Sequence, residues 1–187
     1  MSVLHNVTAK DRLVREGRWS EKEQWMGRGL TGRRIGLLGL GNTARDLVGL
    51  LRPFEVEVIA YDPYCPPETA AELGVRLADA DTVMAEADAV IVMCVLTEET
   101  LHLVDGRRLA LMKPSAVLLN VARGPIVDEA ALVEALRAGR LRGAGLDVFE
   151  TEPPDASNPL LSMDNVVLSP HSLAWTDVMS AGNGGSA

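Results

Sequence analysis

The clearest indication of the fold comes from residues 33–62, RRIGLLGLGNTARDLVGLLRPFEVEVIAYD. This stretch begins with an apolar run, passes through a glycine-rich turn into a helical pattern, and ends with a second apolar run. One face of the helical pattern carries the apolar side chains Ala44, Leu47, Val48 and Leu51. A strand, a tight turn, a helix and a second strand in this order predict a βαβ unit, in which a crossover helix joins two parallel strands.

The same alternation of apolar runs and helical patterns continues to about residue 168. Because most of the runs are too apolar for strands with one face in water, they predict a parallel sheet covered by helices on both faces. The expected fold class is therefore α/β, a Rossmann-type doubly wound sheet. Residues 128–139 give the clearest helix, with Asp128 as N-cap, Gly139 at the C-terminal cap, and a buried face of Leu132, Val133 and Leu136.

Composition limits the possible partners. The chain has 187 residues, of which 47% are hydrophobic and 24% charged, so we expect one folded core rather than disorder. A net charge of -8 disfavours nucleic acid and anionic membranes as main partners, because both require a basic surface. No apolar run is long enough for a membrane span or a signal peptide, which predicts a cytoplasmic protein. Cys65 and Cys94 lack metal-site spacing, so we expect neither a disulfide nor a metal site.

The N-terminal segment predicts an amphipathic helix over residues 2–17 that Gly17 ends. Its narrow apolar stripe consists of Val3, Leu4, Val7, Leu13 and Val14. A narrow stripe of this kind needs a covering partner, so we expect a homodimer formed through this helix. The expected organisation is a dimerisation-type helix over residues 1–20, one nucleotide-binding domain over 21–176, and a flexible tail over 177–187.

The glycine-rich turn predicts a dinucleotide site. Gly39, Gly41 and Ala44 form a G-x-G-x-x-A pattern between a strand and a helix, where glycine permits a tight turn and the helix N-terminus attracts phosphate. Asp62 ends the next strand, 21 residues beyond Gly41. A carboxylate there can accept hydrogen bonds from both hydroxyls of a ribose. This spacing favours NAD over NADP. The alternative for Asp62 is a turn residue before Pro63.

Three candidate catalytic residues each follow an apolar run: Arg123, Glu152 and His171. In an open parallel sheet such positions line the ligand crevice. The guanidinium of Arg123 can bind a carboxylate and a neighbouring carbonyl oxygen. A carboxylate hydrogen-bonded to an imidazole fixes the tautomer of the imidazole and favours the protonated imidazole, which can then donate a proton to a ketone. Taken singly, Arg123 is more often a surface charge, Glu152 a solvated loop charge and His171 a structural histidine, and it is their combination that favours a catalytic site.

Three motifs make the resemblance to one family specific. They are N-x-x-R-G at residues 120–124, G-x-D-V-F-x-x-E-P at 145–153, and Pro170 followed by His171. From about residue 12 to residue 176 the chain resembles the nucleotide-binding domain of the D-isomer-specific 2-hydroxyacid dehydrogenases. The resemblance implies that Arg123 anchors the substrate, that Glu152 supports His171, and that His171 is the general acid and base.

The resemblance also implies further cofactor contacts. Asp147 is expected beside the nicotinamide carboxamide, and Thr100 near the cofactor phosphates. Asn42 and Thr43 belong to the cofactor loop, where the family often has Arg-Ile, and Val95 offers an apolar surface for adenine where proline is usual.

The implied function is NAD-dependent hydride transfer between NAD(H) and a small 2-hydroxy or 2-keto acid. The family builds its substrate-binding domain mainly from segments that have no counterpart in these 187 residues, so we expect that domain to be largely missing and the chain to be truncated. Two alternatives remain: a non-catalytic, dimerising NAD(H)-binding module, and an inactive remnant of the family.

Overall fold

A computed structural model describes residues 1–177 of the chain. Its seven strands are β1 Arg34–Leu38, β2 Glu57–Tyr61, β3 Val75–Leu77, β4 Ala89–Val92, β5 Val117–Asn120, β6 Gly143–Leu146 and β7 Val166–Leu168. They form one parallel sheet in the order β3-β2-β1-β4-β5-β6-β7. The strand order runs outward in opposite directions from the β1–β4 pair, which confirms the predicted doubly wound sheet. In such sheets ligands bind outside the carboxyl ends of the strands, where the order reverses.

The helices are α1 Val7–Arg15, α2 Asn42–Leu51, α3 Pro67–Leu73, α4 Ala80–Glu86, α5 Gly106–Leu109 and α6 Glu129–Arg137. Short 3-10 segments lie at Trp19–Trp25, Arg52–Phe54, Gly124–Ile126 and Pro159–Ser162. Helix α6 has the predicted ends, because the Asp128 side chain accepts a hydrogen bond from the Ala131 N–H and Gly139 has φ 64°. Helix α5 and the last 3-10 segment, which lies in a stretch predicted as loop, were not expected. Each has only four residues, too few to show a helical period.

Two apolar layers cover the sheet, one on each face. Leu37 and Leu38 are successive residues of β1, so their side chains point to opposite faces, and both are fully buried. One layer contains the side chains of α4, α5 and α6, and the other those of α2, α3 and the N-terminal segment. The layers leave the edge formed by the carboxyl ends of the strands as the place where functional loops gather.

The N-terminal helix is shorter than the predicted residues 2–17. It begins at Val7 because Asn6, its N-cap, has a left-handed conformation with φ 52°, and it ends before Gly17, which has φ 70°. Much of the apolar stripe is already covered within the chain: Val3, Leu4 and Leu13 are buried. The part of the stripe that is open to a partner is therefore limited to exposed side chains such as Val7 and Val14.

The predicted flexible tail, apart from Asp177, lies outside the described residues. In residues 1–177, no helix has the length and apolar character needed to cross a membrane.

Candidate active site

The turn between β1 and α2 forms the floor of a crevice. Gly39 has φ 102°, and a Cβ atom there would lie 2.7 Å from the backbone nitrogen of Cys94, so only glycine fits. A Cβ atom at Gly41, in contrast, would meet no atom of the chain within 4 Å. Gly41 therefore presents bare backbone to open space at the N-terminus of α2, as close approach of a pyrophosphate requires. These residues fit a dinucleotide.

Asp62 joins the end of β2 to this turn. Its Oδ2 atom accepts a hydrogen bond of 2.7 Å from the Leu40 N–H, and its Oδ1 atom accepts one of 3.0 Å from the Tyr64 N–H. These bonds match the alternative that treats Asp62 as a turn residue. Asp62 also lines the crevice.

Two adjoining cavities divide the predicted cofactor residues between them. The first, of about 680 Å³, is lined by Gly39, Gly41, Asp62, Val95 and Thr100. The second, of about 780 Å³, is lined by Thr43, Val95, Arg123 and Asp147. Met93, Cys94 and Val95 line both cavities, which suits a long ligand with two ends. Asn42 is the first residue of α2 and is exposed, but it is not among the residues that line either cavity.

The loop after β4 shapes the shared wall. The Thr100 hydroxyl donates to the Val95 carbonyl at 2.7 Å and accepts from the Thr97 N–H at 2.7 Å, so it fixes the loop. Val95 is 77% exposed, which leaves its apolar surface open to a ligand. Burial raises the pKa of the Cys94 thiol to about 11, which keeps it protonated and unreactive at neutral pH. Over residues 1–177, no cluster of three or more His, Cys, Asp or Glu side chains is suited to hold a metal ion.

Asn120 and Gly124 build the turn that carries Arg123, a role that was not predicted for either residue. The Asn120 side chain is 1% exposed, donates to the Arg123 carbonyl at 2.9 Å, and accepts from the Ala122 N–H at 3.1 Å. A Cβ atom at Gly124 would lie 1.8 Å from the Phe149 carbonyl oxygen. The turn can therefore pack against the loop after β6 only with glycine there. Arg123 itself is exposed and donates to the Ala122 carbonyl at 2.6 Å.

Glu152 and His171 form the predicted pair. The Nδ1 atom of His171 lies 2.8 Å from Oε2 of Glu152, and it must donate because a carboxylate only accepts. The other oxygen, Oε1, accepts from the Phe149 N–H at 3.0 Å. The hydrogen bond from His171, followed by that from Phe149, lowers the pKa of Glu152, and the charge of Arg123 adds to the effect. Both side chains are partly exposed, 48% for His171 and 37% for Glu152.

Asp147 places the histidine, a role that the sequence did not reveal. Its side chain is 6% exposed and accepts from the N–H groups of Ser172 at 2.9 Å and Leu173 at 3.3 Å. Its carbonyl accepts from the His171 N–H at 2.8 Å. These bonds hold His171 in a left-handed conformation with φ 53°. A buried aspartate at the end of an apolar run was the available signal, because such a group must find hydrogen-bond donors.

Residues 1–172 match the family described as D-isomer specific 2-hydroxyacid dehydrogenase, NAD binding domain. The chain belongs to this family. Membership makes NAD the cofactor of the domain, as predicted. The glycine turn at Gly39 and Gly41 and the two adjoining cavities agree with this cofactor.

Three known proteins illustrate the likeness. The chain is 42% identical over 176 residues to a D-3-phosphoglycerate dehydrogenase of Archaeoglobus fulgidus, covering 94% of this chain and 33% of that protein. A crystal structure of a glyoxylate reductase from Paecilomyes thermophila superposes with a TM-score of 0.87 at 30% identity, covering 97% of this chain and 54% of the other. An NAD-complexed D-isomer specific 2-hydroxyacid dehydrogenase from Lactobacillus delbrueckii gives a TM-score of 0.81 at 30% identity, with 94% and 59% coverage. The chain thus spans a third to somewhat over half of these relatives.

The lowered pKa of Glu152 predicts a pH-dependent contribution to stability. Because the folded-state pKa lies below the ordinary value of 4.5, the contribution is fully present above that value and is lost as pH falls through the lowered pKa. We expect the difference in unfolding free energy between the wild type and Glu152→Gln to shrink on acidification, as measured by urea unfolding at a series of pH values. Glu134→Gln, at an exposed position of α6, is the matched control. If the difference in unfolding free energy between the wild type and Glu152→Gln varies with pH no more than that for Glu134→Gln, the lowered pKa of Glu152 does not contribute to stability.

Proposed function

We propose that this protein is an NAD-dependent oxidoreductase that transfers hydride between NAD(H) and a small 2-hydroxy or 2-keto acid. The observation that carries the proposal is the Glu152–His171 pair, with Arg123 close enough for its charge to lower the Glu152 pKa. The three side chains follow the carboxyl ends of β5, β6 and β7, which are neighbours in the sheet. An anion-binding group beside a carboxylate-supported imidazole suits proton transfer on a substrate that carries a carboxylate.

The proposed cofactor contacts extend along both cavities. The α2 N-terminus, with Gly39 and Gly41, holds the pyrophosphate, because its free N–H groups and dipole favour negative charge. Asp62 accepts hydrogen bonds from the ribose hydroxyls, an interaction that favours NAD over NADP because NADP carries a 2′-phosphate in place of one hydroxyl. The remaining proposed contacts are Val95 with adenine, Asp147 with the nicotinamide side, and Asn42, Thr43 and Thr100 around the phosphates.

The proposed catalytic steps use three side chains. Bound NAD supplies the hydride chemistry, whereas the chain orients the substrate and moves the proton. Arg123 binds the substrate carboxylate and the neighbouring carbonyl oxygen through its planar guanidinium. Because Nδ1 of His171 is held by Glu152, Nε2 is left to donate a proton to a ketone oxygen and to take it back from an alcohol.

The cofactor part of the proposal predicts a selective effect of Gly41→Ala. The added Cβ meets no atom of the chain and so leaves the fold intact, but it enters the space that a pyrophosphate needs. We expect NADH affinity to fall by at least about tenfold, or about 1.4 kcal/mol, in a fluorescence titration. Gly49→Ala, whose Cβ is also unobstructed, lies farther along α2 and should bind like the wild type. Equal affinities of the two variants exclude the proposed phosphate position.

The catalytic part predicts slow but His171-dependent turnover. Because Arg123 and the Glu152–His171 pair are exposed in this chain, water is not excluded from them, and we expect only slow NADH oxidation with glyoxylate or hydroxypyruvate. The substitution His171→Asn should lower the rate by about 100-fold or more, the usual contribution of general acid–base catalysis. An unchanged rate in this variant refutes the role of His171.

The same assay separates a second candidate function. The chain covers only 33% of the Archaeoglobus fulgidus relative and matches the family's NAD binding domain. Both findings are equally compatible with a dimerising NAD(H)-binding module that does not catalyse a reaction. NADH binding with no oxidation of any 2-keto acid favours that module. Oxidation at ordinary dehydrogenase rates instead shows that the residues present suffice for a closed site.

We propose that the protein is a homodimer formed through the N-terminal segment. Support comes from the exposed apolar side chains of Val7, Val14 and Trp19, the last 64% exposed. Leu13, Val14 and Trp19 line a groove of about 180 Å³, flanked by two lysines. Sedimentation should show a dimer that Val14→Asp weakens, whereas Leu50→Asp, on exposed α2 surface, should not. A strictly monomeric wild type at high concentration excludes this interface.

We also propose a cytoplasmic location. Cys65 and Cys94 are both free thiols, as is usual in a reducing compartment. Fractionation of cells that express the tagged protein tests this proposal, and recovery outside the cytoplasmic fraction contradicts it.

A further inference from the structure

His102 lies where three functional loops meet. It belongs to the loop after β4, which also carries Val95 and Thr100. Its N–H donates to the Pro125 carbonyl at 2.9 Å, which ties it to the turn that carries Arg123. Its ring atom Nε2 lies 2.7 Å from Oε1 of Glu150, in the loop after β6 that carries Glu152. A carboxylate only accepts, so Nε2 donates this bond.

Glu150 is itself fixed to the first turn of α6. Its Oε1 atom accepts from the Glu129 N–H at 3.3 Å, and its own N–H donates to Oε2 of Glu129 at 3.1 Å. The second oxygen of Glu129 accepts from the Asn158 side chain at 2.6 Å. This reciprocal exchange satisfies a free N–H group at the helix N-terminus and anchors the loop after β6 from one side. His102 anchors it from the other.

The backbone of His102 has a locally unfavourable conformation. Its φ is 49°, a left-handed conformation that costs free energy in residues other than glycine. The side chain is 47% exposed, so burial in the core does not explain the arrangement. Next to it, the Val104 N–H donates to the Ile126 carbonyl at 3.0 Å, which continues the contact between the two loops.

We propose that His102 is a positioning residue that, through Glu150, holds the loop after β6 so that Glu152 stays in contact with His171. Glu150 lies one residue from Phe149, whose N–H binds Glu152, and two residues before Glu152 itself. Loss of the His102 anchor therefore leaves Glu150 bonded only to Glu129 and loosens the segment that carries both Phe149 and Glu152. The inference rests on the proposed function for its catalytic meaning, but its structural content can be measured without cofactor or substrate.

His102→Gly is a clean test, because glycine accepts the left-handed backbone and only the ring is lost. Without the ring, Glu152 should contact His171 less often. We expect its pKa to rise by about 0.5, a fraction of the one to three units that a close opposite charge produces. Carbon-13 NMR titration of the Glu152 carboxyl group in the 187-residue chain measures this change.

Two variants serve as comparisons. His102→Gln keeps an N–H donor near the position of Nε2 and should restore the Glu152 pKa to near the wild-type value. Tyr64→Phe removes another exposed hydrogen bond, from the Tyr64 hydroxyl to Glu99 at 2.7 Å, and should leave the Glu152 pKa unchanged.

The outcomes separate positioning from mere stabilisation. A lower melting temperature for His102→Gly with an unchanged Glu152 pKa overturns the inference. If His102→Gly does not fold, His102→Asn is judged by the same criterion, because asparagine tolerates the left-handed backbone and its side chain is too short to replace the ring at Glu150. A raised Glu152 pKa in a chain that never oxidises NADH leaves the inference standing and rejects the proposed catalysis, so the two failures are distinguishable.

Discussion

Burial of the parallel sheet on both faces is the constraint on which the site depends. With helices covering both faces, the loops after β1, β2, β4, β5, β6 and β7 meet at the edge formed by the carboxyl ends. The reversal of strand order between β1 and β4 opens the crevice there. The glycine turn, the paired cavities and the Glu152–His171 pair all lie on loops that leave this edge.

Hydrogen bonds to the backbone and close packing fix the positions of the loops along this edge. Asn120 shapes the turn of Arg123, Gly124 lets that turn pack against the loop after β6, and Asp147 holds the segment of His171. Buried polar groups of this kind are costly when unpaired, so each one specifies the position of its loop. The partly exposed Glu152 and His171 thus depend on well-buried neighbours for their alignment.

Local patterns predict the elements well and their mutual contacts poorly. Alternating apolar runs predict the parallel sheet, and the caps of α6 are visible in the sequence as Asp128 and Gly139. The N-terminal helix was overestimated because the left-handed conformation of Asn6 has no signature in an apolar stripe. The bond between His102 and Glu150 joins residues 48 positions apart, so no spacing rule could reveal it.

A crystal structure of the chain with NADH bound will show whether the carboxyl edge of the sheet holds the cofactor. We expect the pyrophosphate at the backbone of Gly41, adenosine in the cavity beside Asp62, and nicotinamide in the cavity beside Arg123 and Asp147. We also expect the Glu152–His171 hydrogen bond to persist next to the nicotinamide. A dinucleotide bound in the reverse direction, or away from the carboxyl edge of the sheet, excludes the proposed site.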